Sequence, residues 1–479
     1  MSLWLLLAGL FASGYSQLQE PLQLTRNKVI DDALYSYVLS EMQAGKAAGV
    51  SLAIVWANGE VEYETWGKRD EHEVPVTTDV RPDIPLVRSD QSPQTMFNLG
   101  SCSKAFLSAS LGILMDDFSN GENATSLPDR VSEFNWNSKL IDLLPGEWAL
   151  EDEWATNNTD LKDLLSHRTG VPAHDGSYSP YESPSDIVAK LRHLRSSDEL
   201  RQRYQYNNMM YVTGAHIVSK YSGLDYRDFV EERIFKPLGM KSSTLYPDRA
   251  AETGRLTQAW TPLAGGRRIP FFMPEHSAPL IAGAGGVQST TEDMAAYVRT
   301  LLNQGVDPRT NKTIIPKSTF DLATSAITVA VETGTESTSI MGYGLGWGRL
   351  SYRGHDVVTH NGGAPGVATR VEFYPQDGVG IVVLINTAVQ DTLRNISRKV
   401  MDRVLGLPPR KNNPTTKDPP HPPKAVEVAK PMLGFEGSYA NPGYGNFTLC
   451  SPIFSGSSAC KAVVHDFLTV DIPSGKFPR

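Results

Sequence analysis

Thr95-Met96-Phe97-Asn98-Leu99-Gly100-Ser101-Cys102-Ser103-Lys104-Ala105-Phe106-Leu107 sets a serine and a lysine three residues apart where an apolar strand pattern gives way to a helical one. Thr95 to Leu99 reads as a strand, and Ala105 to Met115 is too long and too rich in Ala and Leu to be one. Residues at i and i+3 share a helix face, so Ser101 and Lys104 meet side by side. Gly100 removes a side chain where the backbone must turn, and the helix N-terminus offers unpaired N–H groups beside the serine oxygen. A hydroxyl becomes a nucleophile when a neighbour takes its proton, and a partly desolvated lysine can lose its own. Four letters alone more often describe an N-capping serine beside a solvated lysine. The same spacing recurs at Ser458-Ala459-Cys460-Lys461, in a Gly/Ser stretch that reads as a loop. Context has to decide.

The chain has 479 residues, enough for two or three domains, with 40% hydrophobic and 20% charged residues. A net charge of −8 and a pI near 5.7 argue against nucleic acid or an anionic membrane surface as partner. Leu3 to Ala12 is apolar but too short to span a bilayer, which suits a secretory signal over residues 1–16, although no Lys or Arg precedes it. Glycosylation acceptor patterns begin at Asn123, Asn157, Asn311, Asn395 and Asn446. Together they predict a secreted eukaryotic glycoprotein, with no membrane association once the signal is removed. Of three cysteines, Cys450 and Cys460 flank a Gly/Ser turn and can bridge in an oxidising compartment, leaving Cys102 as a small buried side chain.

Asn27 to Gln43 reads as an amphipathic helix, and Gly49 to Trp66 as a hairpin about Asn58-Gly59. Helical patterns dominate from Ser101 to about residue 335, including Leu161 to His167, Ser185 to Leu194, Asp225 to Phe235 and Thr291 to Leu302. Strands return at Val357 to His360, Val367 to Tyr374 and Val379 to Asn386, before a helix over Thr392 to Leu405. Sheet-forming segments at both ends with helices between imply an α/β sheet domain interrupted by an all-α one, the insertion covering about 116–335. Residues 17–406 form the main domain and 407–431 a Pro-rich linker. The small β-rich segment 432–479 either packs on the main body, is pinned by its cysteines, or is cut short.

Two further elements suit Ser101 and Lys104. Tyr206-Asn207-Asn208 puts a phenol and an amide on one side of an extended loop. A lysine ammonium nearby would lower the phenol's pKa and let it relay a proton, while Asn208 accepts from Lys104 and donates to a substrate carbonyl. Tyr439-x-Asn441 and Tyr444-x-Asn446 match too, beyond the linker. His360-Asn361-Gly362-Gly363 ends a strand whose glycines admit a substrate and whose N–H groups can hold an oxyanion; a lone histidine beside glycines is otherwise a surface turn residue.

Serine-Lys at a helix start, Tyr-x-Asn and then [Lys/His]-x-Gly on a late strand resemble the three-motif set of serine β-lactamases and penicillin-binding proteins. The similarity lies with the class C β-lactamase and D-alanyl-D-alanine carboxypeptidase branch. It extends through Leu164-Leu165-Ser166-His167-Arg168-Thr169-Gly170, Pro237-Leu238-Gly239-Met240, Ala282 to Gly286 with Ser289 to Asp293, and Tyr343-Gly344-Leu345-Gly346-Trp347-Gly348. The resemblance implies a β-lactamase/transpeptidase-like antiparallel sheet flanked by helices. It implies Ser101 as acylated nucleophile, Lys104 and Tyr206 as handlers of its proton, and Asn208 against Lys104 and the substrate amide. The N–H groups of Ser101 and Gly363 would form the oxyanion hole, beside His360 and Gly362.

His360 stands where this branch usually carries lysine. Its imidazole is mostly neutral near pH 7, which weakens selection for carboxylates, and it would charge at mildly acidic pH. In this the chain resembles the family's esterase-like and acyltransferase-like members, some of them fungal. The reading is a secreted, monomeric serine hydrolase acting on a small ester, amide or β-lactam. The alternatives are an acyltransferase using the same acyl-enzyme, or a silent binding protein of the same fold. No metal or organic cofactor is expected, because no zinc or phosphate-loop pattern is present.

Overall fold

The computed structural model describes residues 28–71, 94–263, 266–270, 273–409, 435–450, 458 and 460–462. The expected signal and most of the Pro-rich linker lie outside the described residues.

The chain opens with helix α1 (Asp32–Gly45), capped by the Asp31 side chain accepting from the Leu34 N–H. Strands β1 (Gly49–Trp56) and β2 (Val61–Gly67) follow as the expected hairpin, with Gly59 at φ 95° in the turn. Helix α2 (Lys104–Asn120) starts after a 3-10 turn over Gly100–Ser103 and stops at Gly121, in the left-handed region at φ 72°. The other helices needed to build the site are α3 (Asn208–Ser222), α4 (Ala278–Gly285) and α5 (Thr291–Leu302). Strands β3 (Thr328–Val331), β4 (Met341–Tyr343), β5 (Gly348–Tyr352), β6 (His355–Ala364), β7 (Val367–Tyr374) and β8 (Val379–Ile385) precede helix α6 (Gln390–Val404).

These eight strands form one sheet in the order β2-β1-β8-β7-β6-β5-β4-β3, with every neighbouring pair antiparallel. The N-terminal hairpin is thus hydrogen-bonded to the last strand, Leu52 facing Val383 and Ile54 facing Ile381. Strand side chains alternate between faces, and the sequence of β8 supplies a core on each. Val382 and Leu384 pack with Phe106, Tyr297 and the helical layer. Ile381, Val383 and Ile385 pack with Leu34 and Val38 of α1 and with Leu393, Ile396 and Val400 of α6. Helix α6 has one apolar stripe, as a surface helix should. Helix α2 is buried on every side from Lys104 to Met115, which makes it the axis of the helical layer.

Two local expectations are corrected. The strand expected over Thr95 to Leu99 shrinks to Phe97–Asn98, paired with Gln288–Ser289 in a separate ladder, because the chain must already bend at Leu99 to enter the turn. Ser458 and Cys460–Ala462, expected in a loop, are helical. Cys450 and Cys460 form a disulfide, and Gly437–Asn441 pairs with Gly445–Leu449 as a hairpin.

Leu384 is fully buried against the helical layer. Leu384→Ala is expected to lower the unfolding free energy by about 2–5 kcal/mol in urea titration, the usual cost of emptying a packed site.

Candidate active site

The turn into α2 is shaped by a backbone-to-backbone contact. Gly100 sits at φ 52°, and a Cβ on it would lie 2.7 Å from the Gly363 nitrogen on β6. A Cβ on Gly362 would lie 1.9 Å from the Leu99 carbonyl oxygen and 2.1 Å from Thr369 Oγ1. Only glycines let these segments touch. The contact is held by Thr369 Oγ1 donating to the Leu99 carbonyl (2.7 Å) and by the Gly100 N–H donating to Asn98 Oδ1 (2.9 Å). Strand β5 pairs with β6 only as far as Thr359, so His360 to Ala364 run past its end beside the start of α2. That brings the N–H-bearing backbone of Gly363 next to Ser101.

Lys104, one turn after Ser101, is wholly buried. Its Nζ lies 3.3 Å from Ser101 Oγ, 2.8 Å from Asn208 Oδ1 and 2.8 Å from the carbonyl oxygen of Ala284 on α4. It also stands over the rings of Tyr206 (4.8 Å) and Tyr211 (5.0 Å). Burial disfavours the ammonium and pushes its pKa down to about 7, against an upward pull from the Asp175 charge. Two of its partners can only accept. A neutral Lys104 amine therefore spends both N–H bonds on them and turns its lone pair to Ser101 Oγ.

Tyr206 reaches Ser101 from the loop before α3, its hydroxyl 2.7 Å from Ser101 Oγ. That loop is stitched to the segment after Leu161. The Gln205 N–H donates to the His167 carbonyl (2.7 Å), and the Asn207 N–H donates to His167 Nδ1 (3.1 Å). Asn207 caps α3 by accepting from the Met209 N–H (2.7 Å), and its amide donates to the carbonyls of Val171 and Pro172. The residue between Tyr206 and Asn208 is thus what holds both in place. Upstream, Arg201 grips the fully buried Asp163, donating from Nη2 to Oδ2 at 2.8 Å. Burial would raise the Asp163 carboxyl, yet the Arg201 hydrogen bonds keep it below its ordinary value.

Two electrostatic expectations are overturned. The Tyr206 phenol is raised above its ordinary value, because burial outweighs the hydrogen bond to Ser101. His360 is pushed down to about 3 by burial and then by the Lys104 charge, so it stays neutral at mildly acidic pH as well. Its Nδ1 is 2.6 Å from the Asn361 carbonyl, which can only accept, so Nδ1 carries the proton and Nε2 accepts from the Tyr343 hydroxyl at 2.9 Å. Neither nitrogen is left to hold a carboxylate. His167 is likewise held well below its ordinary value by burial, among the rings of Tyr204, Tyr206, Tyr211 and Tyr343.

Ser101, Lys104, Tyr206 and Asn208 therefore meet at one point, with Gly362 and Gly363 against its wall and His360 behind it. Asn207, Tyr343 and Ala284 were not singled out from the sequence as site residues, although the last two lie in stretches that carried the resemblance. A cavity of 340 Å³ adjoins the site, walled by Tyr204, Tyr206, Tyr343 and His360 and running on to Thr359 and Arg370. Cys102 is buried, its thiol pushed up to about 11, and it donates to the His360 carbonyl at 3.2 Å. Of the glycosylation acceptors, Asn157, Asn311 and Asn446 are exposed. Asn123 and Asn395 are half-buried, with amides donating to the Thr125 carbonyl and Glu41. Ser458 and Lys461 are both exposed.

Lys104 gives a stability test with a definite sign. Its folded pKa of about 7 lies below the ordinary 10.5, so between these values the unfolded chain binds more protons. Stability therefore rises with pH across that window, by about 1.4 kcal/mol per unit, and the full cost of the buried charge is present below it. Lys104→Met is expected to stabilise the fold near pH 7 and flatten the rise, read from urea unfolding against pH.

The family profile described as beta-lactamase matches residues 36–404. The chain is 28% identical over 395 residues to "Unguisins hydrolase ungD'" of Aspergillus campestris, covering 76% of this chain and 70% of that one. Among solved structures, the octameric penicillin-binding protein homologue from Pyrococcus abyssi superposes with a TM-score of 0.61 at 21% identity, covering 78% of this chain and 77% of that one. D-amino acid amidase from Ochrobactrum anthropi SV3 superposes with a TM-score of 0.58 at 21% identity, over 78% and 98% of the two chains. With the profile spanning most of its length and the sheet and helices arranged as described, this chain belongs to the beta-lactamase family of serine hydrolases.

Proposed function

We propose that the protein hydrolyses an amide or ester through an acyl-enzyme on Ser101. One observation carries the reading: Ser101 Oγ lies within hydrogen-bond reach of both Tyr206 Oη (2.7 Å) and Lys104 Nζ (3.3 Å). Their pKa directions divide the work. Lys104, shifted to about 7, is substantially unprotonated near neutrality and takes the serine proton as the new C–O bond forms. Tyr206, raised by burial, keeps its proton until the leaving nitrogen or oxygen needs one. The net transfer is from serine to leaving group, and Lys104 returns the proton to the Tyr206 oxygen. The N–H groups of Ser101 and Gly363 hold the oxyanion, and water completes the cycle by hydrolysing the ester to Ser101.

The favoured substrate class is a peptide-like amide with no free carboxylate beside the scissile bond. A neutral His360 engaged with Tyr343 and Asn361 gives a carboxylate no cation there. The Aspergillus relative, named a hydrolase, supports hydrolysis by sequence, and the amidase of the same fold supports the amide choice. Secretion and glycosylation complete the proposal, on the apolar N-terminal stretch and the acceptor patterns.

Labelling with a fluorophosphonate and reading the adduct by intact mass should give one adduct in the wild type and none in Ser101→Ala. A label that survives in Ser101→Ala refutes the reading. The acidic limb of kcat/KM should fall near pH 7 and stay there in His360→Gln. Tyr206→Phe should lower kcat/KM by roughly 100-fold or more on an amide substrate, in steady-state kinetics. Adding an alcohol acceptor to the same assay distinguishes water from an acyl acceptor.

A further inference from the structure

The mouth of the site carries a carboxylate that the proposed chemistry leaves unused. Asp175 opens a short 3-10 turn, Asp175–Ser177, and is exposed. Its Oδ1 accepts from Asn208 Nδ2 at 3.3 Å and from the Tyr178 hydroxyl at 3.1 Å. Both donors fall on that one oxygen. Among the described residues Oδ2 has no hydrogen-bond partner and no cation forms an ion pair with Asp175. The turn is fixed from behind, because His174 shares hydrogen bonds with the Tyr444 hydroxyl (2.6 Å) and the Arg195 carbonyl (2.9 Å). Tyr444 belongs to the C-terminal hairpin, outside the stretch that matches the family profile. The carboxylate is thus oriented by two donors, anchored by its neighbour, and open on one oxygen.

We propose that Asp175 is an anionic subsite that receives an ammonium group on the acyl part of the substrate. The placement rests on the acyl-enzyme reading above, with the substrate lying against Asn208, whose Nδ2 is the group touching Asp175. A free amine on the carbon next to the scissile carbonyl then comes within reach of Oδ2, and a charge-assisted hydrogen bond forms there. The rest of the site agrees in sign. His360 offers no positive charge and Lys104 is committed to Ser101, Asn208 and Ala284, so Asp175 is the charged group at the mouth that is still open to a partner among the described residues. Substrates bearing an amine at the acyl end and no carboxylate beyond the scissile bond satisfy both ends, which describes amino-acyl amides and the free N-termini of C-terminally blocked peptides.

The test compares kcat/KM of the full-length protein on phenylalanine p-nitroanilide, in both enantiomers, with its N-acetyl and N-succinyl derivatives. The wild type is expected to prefer the free amine over the N-acetyl form by roughly tenfold or more. In Asp175→Asn that ratio should fall towards one, and in Asp175→Lys the order should invert in favour of the N-succinyl substrate. If Asp175→Asn lowers free-amine and acetylated substrates equally, or the wild type favours the acetylated one, Asp175 merely positions Asn208 and the subsite is refuted. Absence of any turnover counts against the hydrolase reading instead. Binding of phenylalanine amide and N-acetylphenylalanine amide to Ser101→Ala, by calorimetry, then decides the subsite alone. Preference for the amine that vanishes in Ser101→Ala/Asp175→Asn supports it, and equal binding refutes it.

Discussion

A lysine amino group enclosed in protein is the constraint on which the rest of the structure depends. Water would solvate the ammonium cheaply, whereas here it loses that solvation and has three oxygens in exchange. The molecule is arranged around keeping those oxygens in place. Asn208 comes from the first turn of α3, Ala284 from the end of α4, and Ser101 from the turn before α2. Their packing against one another therefore fixes the basicity of one side chain. The Tyr206 phenol obeys the same burial with the opposite result, because burial favours the neutral form of both groups. One low-dielectric pocket thus yields an amine ready to accept a proton and a phenol that keeps its own.

The second constraint is steric. The nucleophile reaches the strand whose amides could stabilise a developing charge only because Gly100 and Gly362 lack side chains at the contact. Side chains there would push β6 away from the helix start and open the geometry by more than a hydrogen bond tolerates. Thr369 and Asn98 then lock the approach, so the site's precision comes from backbone fixed on regular elements, with Tyr206 added from a loop tied down by Arg201, His167 and Asn207.

Much of this was legible in the letters, and for physical reasons. The alternation of β1, β7 and β8 and the stripe of α6 follow directly from which faces are buried, so their bounds nearly coincide with the apolar patterns. The three-residue spacing likewise put Ser101, in the turn before α2, beside Lys104 at its start. Juxtapositions made by the fold were not legible that way. Nothing near Tyr343 in sequence announces that its hydroxyl meets His360 Nε2, and nothing near Ala284 marks its carbonyl as a lysine partner. Charge states were the least legible of all. Counting neighbours by type led to a lowered phenol and a chargeable imidazole, whereas depth of burial, which only the packed structure supplies, reversed both.

The sheet's strand order has a consequence for how such a chain acquires its shape. Strand β1 has β2 on one side and β8 on the other, a partner more than three hundred residues further along. The amino-terminal hairpin consequently leaves the ribosome long before its principal neighbour exists, and its Val50-to-Val55 edge must wait unpaired. Closing so large a loop is entropically slow, so the pairing of β1 with β8 completes the sheet late. An edge left unpaired for so long is the kind of surface that chaperones cover.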